Sequence, residues 1–266
     1  MHNVKQMSFI KSIKNSLDIL NCFTPKTSEV GVTEISNKLG LSKSTVSRIL
    51  STLEKGNLVA KVPTNQKYRL GPKVLELASI FLSNTEWRQI AIPHLRDLRD
   101  KSDETITVFV IEGDHRVCLE KLDSSHEVRQ FLNVGGRYPL HAGSAGKLLL
   151  AHLSREKRRE ILLKTGLPRF TPNTITNFKS LEKELNNICK EGYAVSHQER
   201  ATFVSSVSAP IKDLKGEVIA ALCLSGLTIR FTNEKMVEFI KLTKITAERI
   251  SQELGYKKTQ RPNGGH

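Results

Sequence analysis

The sequence is short of cysteine, of long apolar runs and of acidic residues. Its four cysteines are scattered along the chain, with no C-x-x-C pair and no histidine at metal-binding spacing. This pattern predicts reduced thiols and neither a metal site nor a cofactor. No apolar run has bilayer length and no apolar signal-peptide core is present, so the sequence predicts a cytoplasmic protein without membrane contact.

The shortage of acidic residues is greatest near the N-terminus. The 266 residues include 41 Lys and Arg against 27 Asp and Glu, a net charge of +14. Residues 1–70 hold 11 of these basic residues and only 4 of the acidic ones, so half of the excess lies in about a quarter of the chain. Basicity that served only solubility would not concentrate in this way. The distribution favours a polyanion such as DNA as the partner of this segment.

Residues 41–56 predict an amphipathic helix with Ser42 as its N-cap and Gly56 beyond its last turn. One face is an apolar stripe of Val46, Ile49, Leu50 and Leu53. The opposite face carries Lys43, Ser44, Ser47, Arg48 and Ser51. An ordinary helix with a solvated polar face has the same pattern, and the helix alone does not decide between that and a DNA-reading helix.

The neighbours of this helix favour DNA recognition. A shorter helix over 33–39, closed by Gly40, precedes it and predicts a helix-turn-helix unit. Strand-like segments at 58–62 and 67–70 follow it and flank a turn, which predicts a basic hairpin, the wing of a winged helix-turn-helix. The candidate DNA contacts are Thr33, Ser42, Lys43, Ser44, Thr45, Ser47, Arg48, Lys61, Lys67 and Arg69.

The remaining segments predict an α+β protein with two domains. A first helix over 12–23 is expected to turn Ile13, Leu17 and Leu20 inward, and an apolar linker helix near 74–82 is expected to pack against a partner, such as a second copy. Further helices are predicted at 87–100, 144–152, 155–163, 180–191 and 232–254. Strands are predicted at 105–111, 116–122, 128–132, 193–196, 204–211 and 218–227. Strands in hairpins with helices grouped between them indicate a mainly antiparallel sheet.

The expected domain boundaries follow from this pattern. Residues 8–70 form the winged helix-turn-helix, 71–85 the linker helix, 86–257 the second domain and 258–266 a disordered tail.

The segment Ala142–Lys147 is the most suggestive one of the second domain. It is neither a Walker A loop nor a nucleophile elbow, because a required glycine is absent from both patterns and Leu148 stands where Walker A needs Ser or Thr. A small-residue turn that opens a helix can bind a carboxylate through free backbone N–H groups. A close-packed helix start without a ligand explains the segment equally well.

Polar side chains also alternate along two strands. Ser206 and Ser208 lie two residues apart, as do Cys223 and Ser225, and their side chains could line one cavity or face solvent. His197 with Glu199 and a nearby serine would be the elements of a hydrolase, although no oxyanion hole is evident, and no catalytic residue is assigned.

Three segments in order resemble the IclR family of bacterial transcription regulators. The segment 39–50 is similar to its recognition segment, 139–151 to its central motif, and 191–226 to its C-terminal signature. The resemblance implies an N-terminal winged helix-turn-helix and a C-terminal effector domain related to the GAF/PAS-like fold. It also implies dimers that often pair as tetramers, and effectors that are mostly small organic or aromatic acids.

By the same resemblance, the effector would contact the backbone N–H groups of Ser144 and Ala145 and the side chains of Ser196, Ser206, Cys223 and Ser225. Members that bind small keto-acids often carry an acid where this chain has Ser196 and a cysteine where it has Ser206. The resemblance therefore carries over the site and not the ligand.

The sequence predicts a ligand-responsive regulator that binds double-stranded operator DNA and a small organic acid, as a homodimer or homotetramer. A repressor is favoured over an activator. A small-molecule hydrolase built on Ser144 or Ser206 with His197, and a ligand-independent DNA-binding protein, are the alternatives.

Overall fold

The computed structural model describes residues 10–257, apart from Pro25, Asn84, Thr85, Arg129 and Phe131. The chain divides into two compact units, Met1–Thr85 and Glu86–His266. The tail expected over 258–266 lies outside the described residues. None of the described helices is both long and apolar enough to span a bilayer.

The first unit is a winged helix-turn-helix, as the sequence predicts. Its elements are α1 (Lys11–Leu20), α2 (Val32–Leu39), α3 (Lys43–Lys55), β1 (Val59–Lys61), β2 (Tyr68–Leu70) and α4 (Pro72–Ser83). The Ser42 hydroxyl accepts the backbone N–H of Thr45 at 3.2 Å and so caps α3. Gly40, at φ +65°, ends α2 in the left-handed conformation that favours glycine. Strands β1 and β2 pair antiparallel as the wing.

The inward face of α1 differs from the prediction at Ile13 and Leu17 but not at Leu20, which is half-buried against the core as expected. Ile13 and Leu17 are 55% and 56% exposed, whereas Ile19 and Cys22 are buried among the core residues of α2 and α3. Apolar side chains occur on two sides of this helix, and the small core has room for only one of them. The side of α1 that packs carries Ile19, and Cys22, just beyond the end of the helix, is buried in the same core.

The second unit joins an antiparallel sheet to helices on both of its faces. Its elements are α5 (Glu86–Ser102), β3 (Thr105–Glu112), β4 (His115–Leu122), β5 (Arg137–Pro139), α6 (Ser144–Ala151), α7 (Arg155–Thr165), α8 (Phe178–Glu191), β6 (Ala194–His197), β7 (Val204–Lys212), β8 (Val218–Leu227), a short 3₁₀ helix (Thr228–Arg230) and α9 (Asn233–Glu253). The strand order is β5-β4-β3-β8-β7-β6, with every neighbouring pair antiparallel. The α+β prediction is confirmed.

Alternate residues of the strands feed two separate apolar cores. Phe109 and Cys223 pack with Leu148 of α6 and Leu185 of α8 on one face of the sheet. The residues that alternate with these along the strands, such as Val108, pack with α5 and α9 on the other face of the sheet. Because both faces are covered, polar residues that alternate along these strands are buried rather than solvated.

The strand predicted over 128–132 is wrong. The described residues of this segment lie outside the sheet, and the edge strand β5 forms later, at Arg137–Pro139. Tyr138 pairs with Arg116 of β4, and its ring packs edge-on against Phe109 with centroids 5.9 Å apart. That aromatic contact stabilises the later pairing, while Gln130 and Leu132 are buried without joining a strand.

The described residues leave all four cysteines as free thiols, with Cys22, Cys118 and Cys223 buried and Cys189 exposed. Burial raises the pKa of the Cys118 thiol to about 12, so it is protonated and unreactive at neutral pH.

Replacing Gly226 of β8 with alanine should destabilise the second unit. A Cβ there would lie 2.0 Å from Oε2 of Glu104, a buried carboxylate that accepts two hydrogen bonds from Arg230. We expect Gly226→Ala to lower the free energy of unfolding by about 2–3 kcal/mol, measured by urea denaturation. Gly56→Ala is the control, since its Cβ would meet only ordinary contacts of 3.6 Å or more. Equal stability of the two variants would contradict the expectation.

Candidate functional site

The residues expected to contact DNA lie mainly on the outside of the first unit. Thr45 and Lys67 are half-buried, and the others are exposed: Thr33, Ser42, Lys43, Ser44, Ser47, Arg48, Lys61 and Arg69. The buried side of α3, with Val46, Leu50 and Leu53, fixes which way its outer face points.

Four of these positions, Ser42, Ser44, Thr45 and Lys67, are already engaged in side-chain hydrogen bonds within the protein. The Ser42 hydroxyl lies 2.8 Å from the Thr45 hydroxyl and caps α3. Lys67 donates to Oε1 of Glu34 at 2.8 Å, and this hydrogen bond, with one from the Gly31 N–H, holds the pKa of the Glu34 carboxyl below its usual value. Lys67 therefore differs from Lys61 and Arg69 of the same hairpin, because its charge is partly compensated.

A cavity in the second unit collects all six residues expected to bind an effector. It lies between the start of α6 and strands β6, β7 and β8, and its lining includes Ser144, Ala145, Ser196, Ser206, Cys223 and Ser225. Its volume is about 30 Å³, which is room for about two water molecules.

Strand register aligns the hydroxyl groups on the floor of this cavity. Ser196, Ser206 and Ser225 lie opposite one another across β6, β7 and β8. Ser208 and Cys223 form the next pair on the same face. Ser205 points to the other face, where its hydroxyl lies 2.9 Å from that of Thr228, so it is not part of the site.

Ser144, the first residue of α6, ties that helix to the sheet. Its hydroxyl lies 2.7 Å from the Ser206 hydroxyl and 2.8 Å from the Ser208 hydroxyl, and 3.7 Å from the Cys223 thiol. This buried network closes the cavity at the N-terminal end of α6.

The sequence reasoning missed two arginines in the cavity wall. Arg116 of β4 is only 3% exposed, and its Nη1 donates to the carbonyls of Pro139 and Ala142. A Cβ at Gly146 would lie 2.1 Å from this nitrogen, so the glycine makes room for the guanidinium. Arg116 and the buried Cys118 alternate with Val117 along β4, so both side chains point to the same face of the sheet. This alternation was the signal in the sequence that could have identified Arg116.

Arg200 is the second missed residue and follows β6. Its guanidinium lies 5.1 Å from the ring centroid of Tyr138, while that of Arg116 lies 5.2 Å from Phe109. Burial, followed by the charge of Arg200, lowers the pKa of Arg116, and burial also lowers the pKa of Arg200. Within the described residues neither guanidinium forms an ion pair with a carboxylate. The cavity therefore has positive charge that no carboxylate in direct contact neutralises, although nearby Glu199 opposes the lowering of the pKa of Arg116.

Lys147 has a structural role instead of a phosphate-binding one. Its ammonium group is buried between Glu184 and Glu199, at 2.7 and 2.6 Å. The other oxygen of Glu199 accepts the Gly143 N–H at 3.1 Å. Through Glu199, the lysine thus stabilises the first turn of α6 on the side away from the cavity. His197 is exposed and does not line the cavity, which separates it from Ser144 and Ser206.

Comparison with known proteins assigns both units. The model of the IclR helix-turn-helix domain matches residues 12–63, and that of the bacterial transcriptional regulator IclR C-terminal domain matches residues 80–252. The chain belongs to the IclR family.

The chain aligns with transcriptional regulators over nearly their whole length. The regulator KdgR of Escherichia coli K12 is 32% identical over 252 residues, 95% of each chain. The transcriptional repressor AllR of the same organism is 31% identical over 247 residues, 93% of this chain and 91% of AllR. A crystal structure of an IclR homologue from Microbacterium hydrocarbonoxydans, complexed with 4-hydroxybenzoate, has 26% identity and a TM-score of 0.81, covering 91% of this chain and 98% of that one.

The IclR-family protein is therefore a DNA-binding transcriptional regulator with a C-terminal effector-binding domain. KdgR and AllR are both named as transcriptional regulators.

The buried ion pairs of Lys147 lead to a prediction about stability. Lys147→Met would leave the buried carboxylate of Glu199 without its cation, so we expect a loss of about 3–5 kcal/mol in the free energy of unfolding, measured by urea denaturation. The double variant Lys147→Met/Glu199→Gln should lose less, because it removes both charges and keeps an acceptor for the Gly143 N–H. A double variant less stable than the single one would show that the ion pair is not the source of the loss.

Proposed function

We propose that this regulator reads double-stranded operator DNA with the outer face of α3 and that its hairpin contacts the phosphates. The exposed Lys43, Ser47 and Arg48 lie on one side of a capped helix, which is the placement that major-groove readout needs. Lys61 and Arg69 extend the positive surface along the hairpin. The protein acts in the cytoplasm, where its operator is.

The effector is a small organic acid. The observation that carries this assignment is a pair of guanidinium groups, buried Arg116 and half-buried Arg200, that share one cavity without a carboxylate in contact among the described residues. A bound carboxylate could accept hydrogen bonds from both guanidinium groups and would offset one of the two positive charges. The N–H groups of Ser144 and Ala145, in the first turn of α6, add donors of the same polarity. The complex of the Microbacterium homologue with 4-hydroxybenzoate, a carboxylate, supports the same class.

Binding such an acid must change the protein. A cavity of about 30 Å³ cannot enclose an organic acid, so its lining has to move outward when the acid binds. A ligand that fits only the opened form shifts the population toward it. In a dimer, that shift changes the fit of two readers to two half-sites, which releases a repressor from its operator.

The assembly is a homodimer or homotetramer. Helix α4 presents an exposed apolar surface that includes Leu75, Leu77, Ile80 and Phe81. Apolar side chains clustered on one helix are typical of a surface that a second copy covers.

Arg48→Ala tests the DNA-reading face. If Arg48 reads a base edge, we expect specific binding to weaken by about 1–3 kcal/mol, with little loss on random DNA. Fluorescence anisotropy would compare a site that the wild-type protein selects from a random pool with a scrambled duplex. Lys61→Ala is the matched control, because loss of a phosphate contact weakens both duplexes equally. The same behaviour for Arg48→Ala would make it a phosphate contact.

Arg200→Gln tests the acid site. Removing one of two repelling charges should keep or raise the melting temperature of the free protein while weakening acid binding by about tenfold or more. Calorimetric titration with small carboxylic acids would measure the change. Arg249→Gln, an exposed change of equal charge on α9, is the control and should bind as the wild type does. Unchanged affinity in Arg200→Gln would refute the assignment.

A further inference from the structure

Helices α7 and α8 leave an open groove between them on the surface of the second unit. The groove has a volume of about 650 Å³ and shares no lining residue with the effector cavity. Its lining residues lie four apart along each helix: Arg155, Arg159 and Leu163 on α7, and Phe178, Glu182 and Asn186 on α8. Residues at this spacing share one face of a helix, so each wall is about 12 Å long, which is about two helical turns.

One part of the groove is apolar and open to solvent. Leu163 is 69% exposed and Phe178 is 49% exposed, and the buried side chain of Leu162 lines the same groove. Single exposed apolar side chains are common on protein surfaces. Two that share one groove with a buried leucine form a patch that is stabilised when a partner covers it.

The other part of the groove carries positive charge. Arg155 and Arg159 are exposed, and neither forms an ion pair with a described residue. Glu182, the carboxylate of the lining, is already paired with the buried Arg158 at 2.9 Å. Arg155 is also the first residue of α7, where the helix dipole disfavours a positive charge. A negatively charged partner would therefore be attracted to this part of the groove.

Hydrogen bonds of Arg158 hold the two walls of the groove in place. Its Nη1 donates to Glu182 of α8, and its Nη2 donates to the carbonyls of Ala151 and Leu153. The arginine thus connects α7 both to α8 and to the segment that precedes α7. Because the groove is formed before a partner arrives, little conformational freedom has to be lost there on binding.

We propose that the groove between α7 and α8 docks an acidic amphipathic helix of a partner protein. The apolar side chains of that helix would cover Leu163 and Phe178, and its carboxylates would contact Arg155 and Arg159. A second copy of this chain fits the basic part less well, because its net charge is +14. Nucleic acid fits the apolar part less well, because phosphates gain nothing from contact with leucine and phenylalanine.

Two stapled helical peptides of about twelve residues test the proposal on the full-length protein. Each peptide presents two leucines one turn apart on one face. The acidic peptide carries two glutamates on the next turn of that face, and the matched basic peptide carries two lysines there. Fluorescence anisotropy with labelled peptides would measure both affinities. We expect the acidic peptide to bind about tenfold or more tightly than the basic one, with a difference that decreases as salt is added.

Variants in the two parts of the groove locate the bound peptide. Arg155→Gln/Arg159→Gln and Leu163→Ser should each weaken binding of the acidic peptide by about tenfold. These side chains are exposed, so the melting temperature of the free protein should be nearly unchanged. Lys179→Gln/Lys183→Gln is the matched control, because it removes two exposed charges from α8 outside the groove lining. It should keep the affinity within about twofold of that of the wild type.

Several results would overturn the proposal. Equal affinity for the two peptides, or no binding of either, would mean that the groove does not select an acidic helix. Unchanged peptide binding in both groove variants would place the peptide elsewhere on the protein. A smaller assembly of Leu163→Ser in sedimentation velocity would show that a second copy covers the groove. Weaker binding of a random DNA duplex by the double arginine variant than by the double lysine variant would assign this surface to nucleic acid.

Discussion

The guanidinium group of Arg116 is buried against the first turn of α6, and much of the second unit depends on this contact. It donates to the carbonyl of Pro139 at the end of β5 and to that of Ala142 just before α6, and Gly146 is the residue that leaves space for it. The contact fixes the start of the helix relative to β4. It also places a positive charge in the wall of the cavity that α6 closes. The same side chain therefore determines both the packing of the helix start and the charge of the cavity.

Charges around this helix are arranged in two groups with opposite consequences. Behind the helix start, the ammonium group of Lys147 is paired with the carboxylates of Glu184 and Glu199, so its positive charge is fully compensated. In the cavity, Arg116 and Arg200 share a small space and lack such compensation among the described residues. The free protein therefore bears a repulsion between the two guanidinium groups that the proposed anionic ligand would reduce. A regulator gains from this arrangement, because the repulsion makes the ligand-bound form distinct in energy from the free form.

Local signals allowed most of the fold to be predicted. Ser42, Gly40 and the apolar stripe of α3 act within a few residues, so the reader and hairpin follow from the sequence. The resemblance to IclR regulators also named six residues that line one cavity. Arg116 and Arg200 escaped prediction because the chain brings them together from 84 positions apart. The false strand at 128–132 and the misjudged face of α1 failed for a related reason: each had a suitable local pattern, and contacts distant in sequence decided against it.

The floor of the cavity consists of serines and a cysteine on regularly paired strands. Exchanges among serine, cysteine, alanine and threonine at such positions alter one hydrogen-bonding atom or one methyl group and leave the backbone pairing intact. New ligand preferences can therefore arise by single substitutions, without rebuilding the helices that close the site. The same property makes this sheet a suitable scaffold for engineered metabolite biosensors, in which the floor is varied and the arginine wall is kept.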